Sequence, residues 1–407
     1  MARSRRNAQL MNRLRNTPIT EESPGLLLHD FQTLLDFAEQ NALPLTGMHV
    51  LPTRTLRVLN EQLQRRIEHG LTRPQQKSFP HINGLFLLLR ASGLTTVNAL
   101  GDKPILEVDP AMRHSWDQLN PDERYFALLE SWLIRGDPII IGNEQRGFYL
   151  NPPLRQWNSF FMHLEEGRWS EDDWIERTRY YPGLYNLALM ELFGLIMIED
   201  DSPVEKAGWR IRDVQATQWG EVLLTALRPR LVEDWSLWEQ LQQPALVAPG
   251  VLQPIIGPYR PAYRTVFAPS DHEHQSGLFV FKVMLSSTLW RRIAIGGDRL
   301  LEDLSDAILA AYNFDHDHLY RFLYPTRFGT EAEVAHPYIE EAPRHTTDVQ
   351  IGDLPAQPGF QMIYHYDFGD DWRFSLVLER IEPQEEMQER YKIIEREGES
   401  PEQYSYW

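Results

Sequence analysis

Three carboxylates crowd one short turn of this sequence: Asp367, Asp370 and Asp371 fall within Asp367-Phe-Gly-Asp-Asp371. Upstream, Asp315-His-Asp-His318 interleaves two imidazoles with two more carboxylates. Carboxylate oxygens and imidazole nitrogens are ligands that divalent cations accept. Asp367, Asp370 and His318 are therefore candidate metal ligands, and the reaction class they would serve is metal-dependent hydrolysis, as in a nuclease. The same residue types have a second reading. Aspartates at a turn accept backbone N–H groups, and His318 can pack at a strand start. The chain has no cysteine, and its other close histidine pair, in Asp271-His-Glu-His274, reads as part of an exposed loop, so a closed zinc set is not expected. Walker and Rossmann glycine patterns and a nucleophile elbow are also missing. No catalytic residue and no cofactor is assigned.

The elements that must position these groups are legible around them. Before the turn, Met362, Tyr364, Tyr366 and Phe368 alternate with Ile363, His365 and Asp367. After it, Trp372, Phe374, Leu376 and Leu378 alternate with Arg373, Ser375, Val377 and Glu379. A period of two places each set on one face of a strand. Gly369, tolerant of positive φ, then makes the connection a tight hairpin at the centre of a C-terminal core.

A second group of residues could act on phosphates. Arg3, Arg5, Arg6, Arg13 and Arg15 precede any acidic residue, and Arg65 and Arg66 lie on the polar side of a helix that runs to about Gly70. The net charge of −18 argues against a general nucleic-acid binder. The acid, however, gathers near the C-terminus, in Glu382, Glu385, Glu386, Glu389, Glu395, Glu397 and Glu399. This polarity is compatible with a DNA contact on the N-terminal part and a protein partner on the C-terminal part, or with a solvated arm and ordinary exposed helix faces. No apolar run suggests a membrane span, and a cysteine-free chain without a secretory signal fits the cytoplasm.

Taken in order, residues 1–23 read as a basic arm and residues 24–243 as a mainly helical part. Within that part, Leu85–Leu94, a hairpin and a further helix are echoed by Leu184–Leu195, a hairpin and a helix opened by Thr217. Helix, Gly-Leu, hairpin, helix is the order of a winged-helix tail, so duplicated winged-helix-like modules are one expectation and an irregular helical domain the other. Pro244, Pro249, Gly250, Pro254, Gly257, Pro258 and Pro261 mark 244–262 as a linker. Residues 263–407 form an α+β domain with an antiparallel sheet. The fold class is thus α+β overall.

Four signatures in this last part follow one another: Leu289-Trp-Arg-Arg292, Leu301-Glu-Asp-Leu304, His318-Leu-Tyr-Arg-Phe322 and Tyr364-His-Tyr-Asp-Phe-Gly-Asp-Asp-Trp372. With the tail Gly398-Glu-Ser-Pro-Glu-Gln-Tyr404, this part resembles the plasmid pRiA4b ORF-3-like family, also described as passenger proteins of bacterial insertion elements. The positions that carry the resemblance are Trp290, Arg291, Arg292, His318, Tyr366, Asp367, Phe368, Gly369, Asp370 and Trp372. The resemblance implies a compact α+β domain without a firmly assigned activity, in a plasmid or mobile-element setting. It implies an accessory, non-enzymatic role, with the domain as scaffold or partner-binding module. Family members commonly carry histidine two residues after the tryptophan; here that position is Phe374.

Overall fold

The structure, a computed structural model, describes residues 10–47, 49–101, 103–142, 160–161, 182–231, 247–268, 273–383 and 389–404. The chain divides into two compact units, Met1–Thr96 with Leu106–Pro269, and Val97–Ile105 with Ser270–Trp407. Among the described residues no helix is long and apolar enough to cross a membrane.

After a helical segment at 10–16, the first unit runs through α1 (Leu27–Asn41), β1 (Leu43–Pro44), α2 (Thr53–Gln62) and α3 (Pro80–Ala91). Next in the chain come the strands β2 (Thr95–Asn98) and β3 (Ile105–Val108), of which residues 97–105 are counted with the second unit, and the sheet order is β1–β3–β2. Then come α4 (Pro110–Asp117) and α5 (Pro121–Glu130). Asn120 and Glu123 cap α5 reciprocally, as their spacing predicts. The second run comprises α6 (Leu184–Leu192), the β4 (Ile196–Asp200) and β5 (Ile211–Ala216) hairpin, and α7 (Gln218–Leu231). Its likeness to the first extends to the backbone. Gly93 and Gly194 end their helices at φ +78° and +73°, a region that L side chains enter at a cost.

Every residue of α3 is buried, and α6 packs alongside it. The approach is close, since a Cβ on Gly84 would fall 2.6 Å from Leu189 Cγ. Around this pair, Tyr125 donates its hydroxyl to the Phe193 carbonyl at 2.7 Å and accepts from Trp219 Nε1 at 2.8 Å. The proline-rich stretch is ordered by carboxylates over its described residues. Glu130 accepts from the Gly250 and Leu252 N–H groups, and Arg260 meets Asp122 and the Leu14 and Thr17 carbonyls.

The second unit is a seven-stranded antiparallel sheet under one helix. Its strands are β6 (Leu278–Ser286), β7 (Leu289–Gly296), β8 (Tyr320–Pro325), β9 (Glu331–Ala335), β10 (Gln361–Tyr366), β11 (Trp372–Glu382) and β12 (Tyr391–Glu397), in the order β12–β7–β6–β11–β10–β8–β9. The helix α8 (Leu301–Tyr312) covers one face with Leu301, Leu304, Ile308 and Tyr312. Phe279, Phe281, Val283, Tyr364, Tyr366, Phe374, Leu376 and Leu378 meet it from the sheet. The apolar run of β6 reads as a strand buried on both faces, but Lys282 and Met284 on its outer side are only half-buried.

Candidate functional site

The hairpin β10–β11 presents the sequence-marked carboxylates at one end of the sheet. Tyr366 pairs with Trp372, which leaves Asp367–Asp371 as the connection. Gly369 does not supply the positive φ expected of it. Asp367 at +50° and Asp371 at +55° do. The reason is local hydrogen bonding: Asp367 Oδ1 accepts from Gly369 N at 3.0 Å and Asp370 N at 3.3 Å, and the Asp371 N–H closes on the Asp367 carbonyl at 2.8 Å. Aspartate tolerates the left-handed region when its side chain bonds nearby backbone in this way. Asp367→Ala removes the acceptor but keeps the strained φ, so it should cost about 2 kcal/mol, with Asp367→Asn within about 0.5 kcal/mol of wild type. Urea titration of the two variants checks this.

On the helix-side face, the second Asp367 oxygen, Oδ2, lies 3.3 Å from His318 Nε2. Tyr404 bridges the same imidazole to Asp317, with its hydroxyl 3.3 Å from His318 Nε2 and 2.9 Å from Asp317 Oδ1. Gln403 fixes the tail by donating to Tyr404 and accepting from the Asp315 N–H. Burial and the Asp317 charge push the Tyr366 phenol up to about 12. The Tyr404 hydrogen bond and the His318 charge help to hold the Asp317 carboxyl below its usual range. Of the three candidate ligands, the structure brings Asp367 to His318, whereas Asp370 joins through its backbone N–H and its side chain is exposed. Among the described residues, no group of three His, Asp or Glu stands where it could hold a metal ion.

The outer face carries a set that the sequence did not single out. Strand register places Arg321, His365 and Arg373 side by side on β8, β10 and β11. His365 is buried, and its Nε2 lies 2.8 Å from Asp371 Oδ1, which also accepts from Arg373 Nε at 2.8 Å. Arg321 pairs with Glu333 and sits over the Phe368 ring at 5.2 Å, and the His365 ring lies 4.9 Å from that same ring. Phe368 itself is 43% exposed, although its place in the alternation predicts a core ring. The alternation ends at Tyr366 because Asp367 turns the chain.

Burial, then the Arg373 and Arg321 charges, hold the His365 imidazole below its ordinary value. A depressed histidine favours the neutral form in the folded state. Its contribution to stability is therefore present above about pH 6.5 and lost as pH falls below that value. Arg373→Gln should raise the His365 pKa, and Asp371→Asn should lower it further. Proton NMR titration of the His365 ring reads both shifts.

The tryptophan–arginine signature anchors the sheet rather than the hairpin acids. Arg291 donates to the Ala311 carbonyl at the end of α8 and to the Glu397 carbonyl, and it stacks over Tyr312 at 4.6 Å. Arg292 pairs with Glu379 at 2.7 Å and with Glu395, and its guanidinium lies over Trp290. Arg292 thus meets strand glutamates, because cross-strand register puts Glu395 opposite it. Phe374, at the position where the family resemblance implies histidine, is fully buried beside Tyr312, Phe314 and Trp372's neighbouring strand end.

Residues 278–403 match the plasmid pRiA4b ORF-3-like protein family. The resemblance read from the four signatures is borne out over that region, and the match does not extend to the first unit. Among solved structures, the crystal structure of a protein of unknown function from Methanosarcina mazei Go1 is similar at 23% identity. That likeness covers 30% of this chain and 70% of that one, with a TM-score of 0.28. No curated protein matches the chain.

The arginines read as phosphate contacts are dispersed. Arg3, Arg5 and Arg6 lie outside the described residues. Arg13 and Arg15 are exposed on a helical segment at 10–16, and Arg66 is exposed near α2. Arg65 is engaged. Its Nε donates to Glu191 at 3.0 Å, and its terminal nitrogens donate to both Asp200 oxygens at 2.8 Å. The helix read as running to Gly70 ends at Gln62, because the Asp30 carboxylate accepts the Gln64 and Arg65 N–H groups.

Proposed function

We propose that the chain is a non-enzymatic accessory protein of a plasmid or mobile-element setting, whose family-matching unit docks a protein partner through the outer tip of the β10–β11 hairpin. The observation that carries this reading is the exposed Phe368 ring, held against the neighbouring Arg321 guanidinium and His365 imidazole. Aromatic and arginine side chains on a rigid support are what interface centres are enriched in. The polar groups around the turn are spent on holding it, through Asp367, Asp371 and their backbone partners. The proposal includes a cytoplasmic location, in keeping with a chain free of cysteine.

The test compares captures from the native host by wild type and Phe368→Ser. The reading expects a discrete set of proteins retained by wild type and lost from the variant, with both equally folded by circular dichroism. Identical captures count against it.

A second reading adds DNA. Three helices with β1 after the first, followed by a hairpin in the sheet order β1–β3–β2, is the order of a winged helix. In such modules the third helix enters the major groove, but here α3 is buried along its length and packs on α6. The DNA contact in this reading is therefore to phosphates alone, through exposed Arg13 and Arg15. Gel shifts against salt test it. Sequence-independent binding that weakens steeply with salt, and further with Arg13→Ala/Arg15→Ala, supports it; no binding at low ionic strength removes it.

A further inference from the structure

The two edges of the sheet in the second unit are finished differently. At the β9 edge, the Ala335 N–H donates to the Arg344 carbonyl, and the Ala335 carbonyl accepts from the Thr346 N–H. Its own chain thus covers that edge. At the other edge, β12 pairs with β7 on one side, and among the described residues no strand lies on its other side. The seven residues Tyr391–Glu397 therefore present an open edge, a template for a further strand. Ile394, in the middle of it, is 40% exposed.

The order of charges along β12 is complementary to itself. Suppose a second copy runs antiparallel to it about a two-fold axis between Ile393 and Ile394. Lys392 then stands opposite Glu395 of the second copy, and Tyr391 opposite its Arg396. Arg390, just before the strand, stands opposite its Glu397. Residues directly opposite each other must share a face of the sheet. A regular strand would fail this condition, because positions three apart lie on opposite faces. The bulge between Ile393 and Glu395 satisfies it. Lys392 pairs with Ala294 and Glu395 with Arg292, two positions of one face of β7. Tyr391 pairs with Ile295 and Arg396 with Arg291, two positions of the other. A bulge usually turns an edge away from strangers. Here the same irregularity would stand on both sides of the axis. Lys392 and Glu397 are exposed and make no ion pair among the described residues, and Glu395, paired with Arg292, is also exposed.

We infer that two copies of this chain join through β12 in this register, so that their sheets become one. The contact is isologous and closes at two copies. It lies at the opposite side of the sheet order from the Phe368 tip, with β7 and β6 between β12 and β11.

Sedimentation of the full chain tests it. Wild type should be a dimer at micromolar concentration. Lys392→Glu sets like charges opposite each other at two symmetric positions, and should weaken association roughly tenfold. Glu395→Lys should do the same. An equimolar mixture of the two variants should dimerise again, because opposite charges then meet at both positions. Should either variant fail to fold by circular dichroism, a thiol crosslinker carries the test in the otherwise cysteine-free chain: a short bis-maleimide should join Ile394→Cys copies and not Tyr338→Cys copies. A monomeric wild type, a dimer indifferent to both variants, a mixture no more associated than its components, or equal crosslinking at 394 and 338 overturns the inference.

Discussion

Phe374→His should lower the stability of the second unit by about 3–5 kcal/mol at pH 8, and by more at pH 5.5. The ring at this position is fully buried, 4.9 Å from Tyr312 and 5.9 Å from Phe314 by ring centroids. An imidazole there gives up apolar contact and brings two ring nitrogens into an aromatic core. It would stay neutral when folded, with a pKa below its unfolded value of about 6.5. The unfolded state then binds the proton first, so stability falls as pH drops through that value. Urea titration at the two pH values reads the difference. A variant as stable as wild type at both would mean that the site accommodates a histidine through a packing other than the one described.

Glu191→Leu should cost about 2–4 kcal/mol, because it breaks a shielded ion network and leaves charge behind. Glu191 Oε2 accepts from Arg65 Nε at 3.0 Å and lies 2.7 Å from His81 Nε2, whose side chain is 1% exposed. Asp200 holds the other edge of Arg65 and accepts from Trp209 Nε1 at 2.9 Å. Burial pushes the Asp200 carboxyl up, but the Arg65 and Trp209 hydrogen bonds together bring it below its ordinary value. That contribution is present at neutral pH and is lost as pH falls through the acidic range. The network joins the first helix–hairpin run, through Arg65 and His81, to the second, through Glu191, Asp200 and Trp209. Glu199→Gln is the control. It breaks an exposed pair with Arg212, and such pairs contribute at most about 1 kcal/mol. Equal losses in the two variants would show that the network does not hold the runs together.

What the sequence made legible was local. Period-two alternation found β10 and β11, because strand faces repeat every second residue, and capping residues found α5. The doubled helix–Gly-Leu–hairpin order was readable because each Gly-Leu pair ends a helix in the same backbone conformation. Contacts between distant residues were not readable. Arg65 looked solvated because Glu191 and Asp200 lie more than a hundred positions away along the chain. His318 looked like a partner for the hairpin acids, which it is for Asp367, but Tyr404 reaches it from the tail. Asp371 was read only with the turn carboxylates and His365 only as part of the alternation, since strand register alone reveals the flanking Arg321 and Arg373. Phe368 followed the apolar alternation yet faces solvent, because the strand ends one turn earlier than its composition suggests.

The docking claim is tested most directly by placing a photo-crosslinking amino acid at position 368 in the native host, with position 338 as control. Tyr338 is 82% exposed, so it samples ordinary solvent contact. The account predicts a discrete crosslinked partner at 368 that is missing at 338 and lost when Arg321 and Arg373 are changed to glutamate. Crosslinks at 368 no different from those at 338 would contradict it.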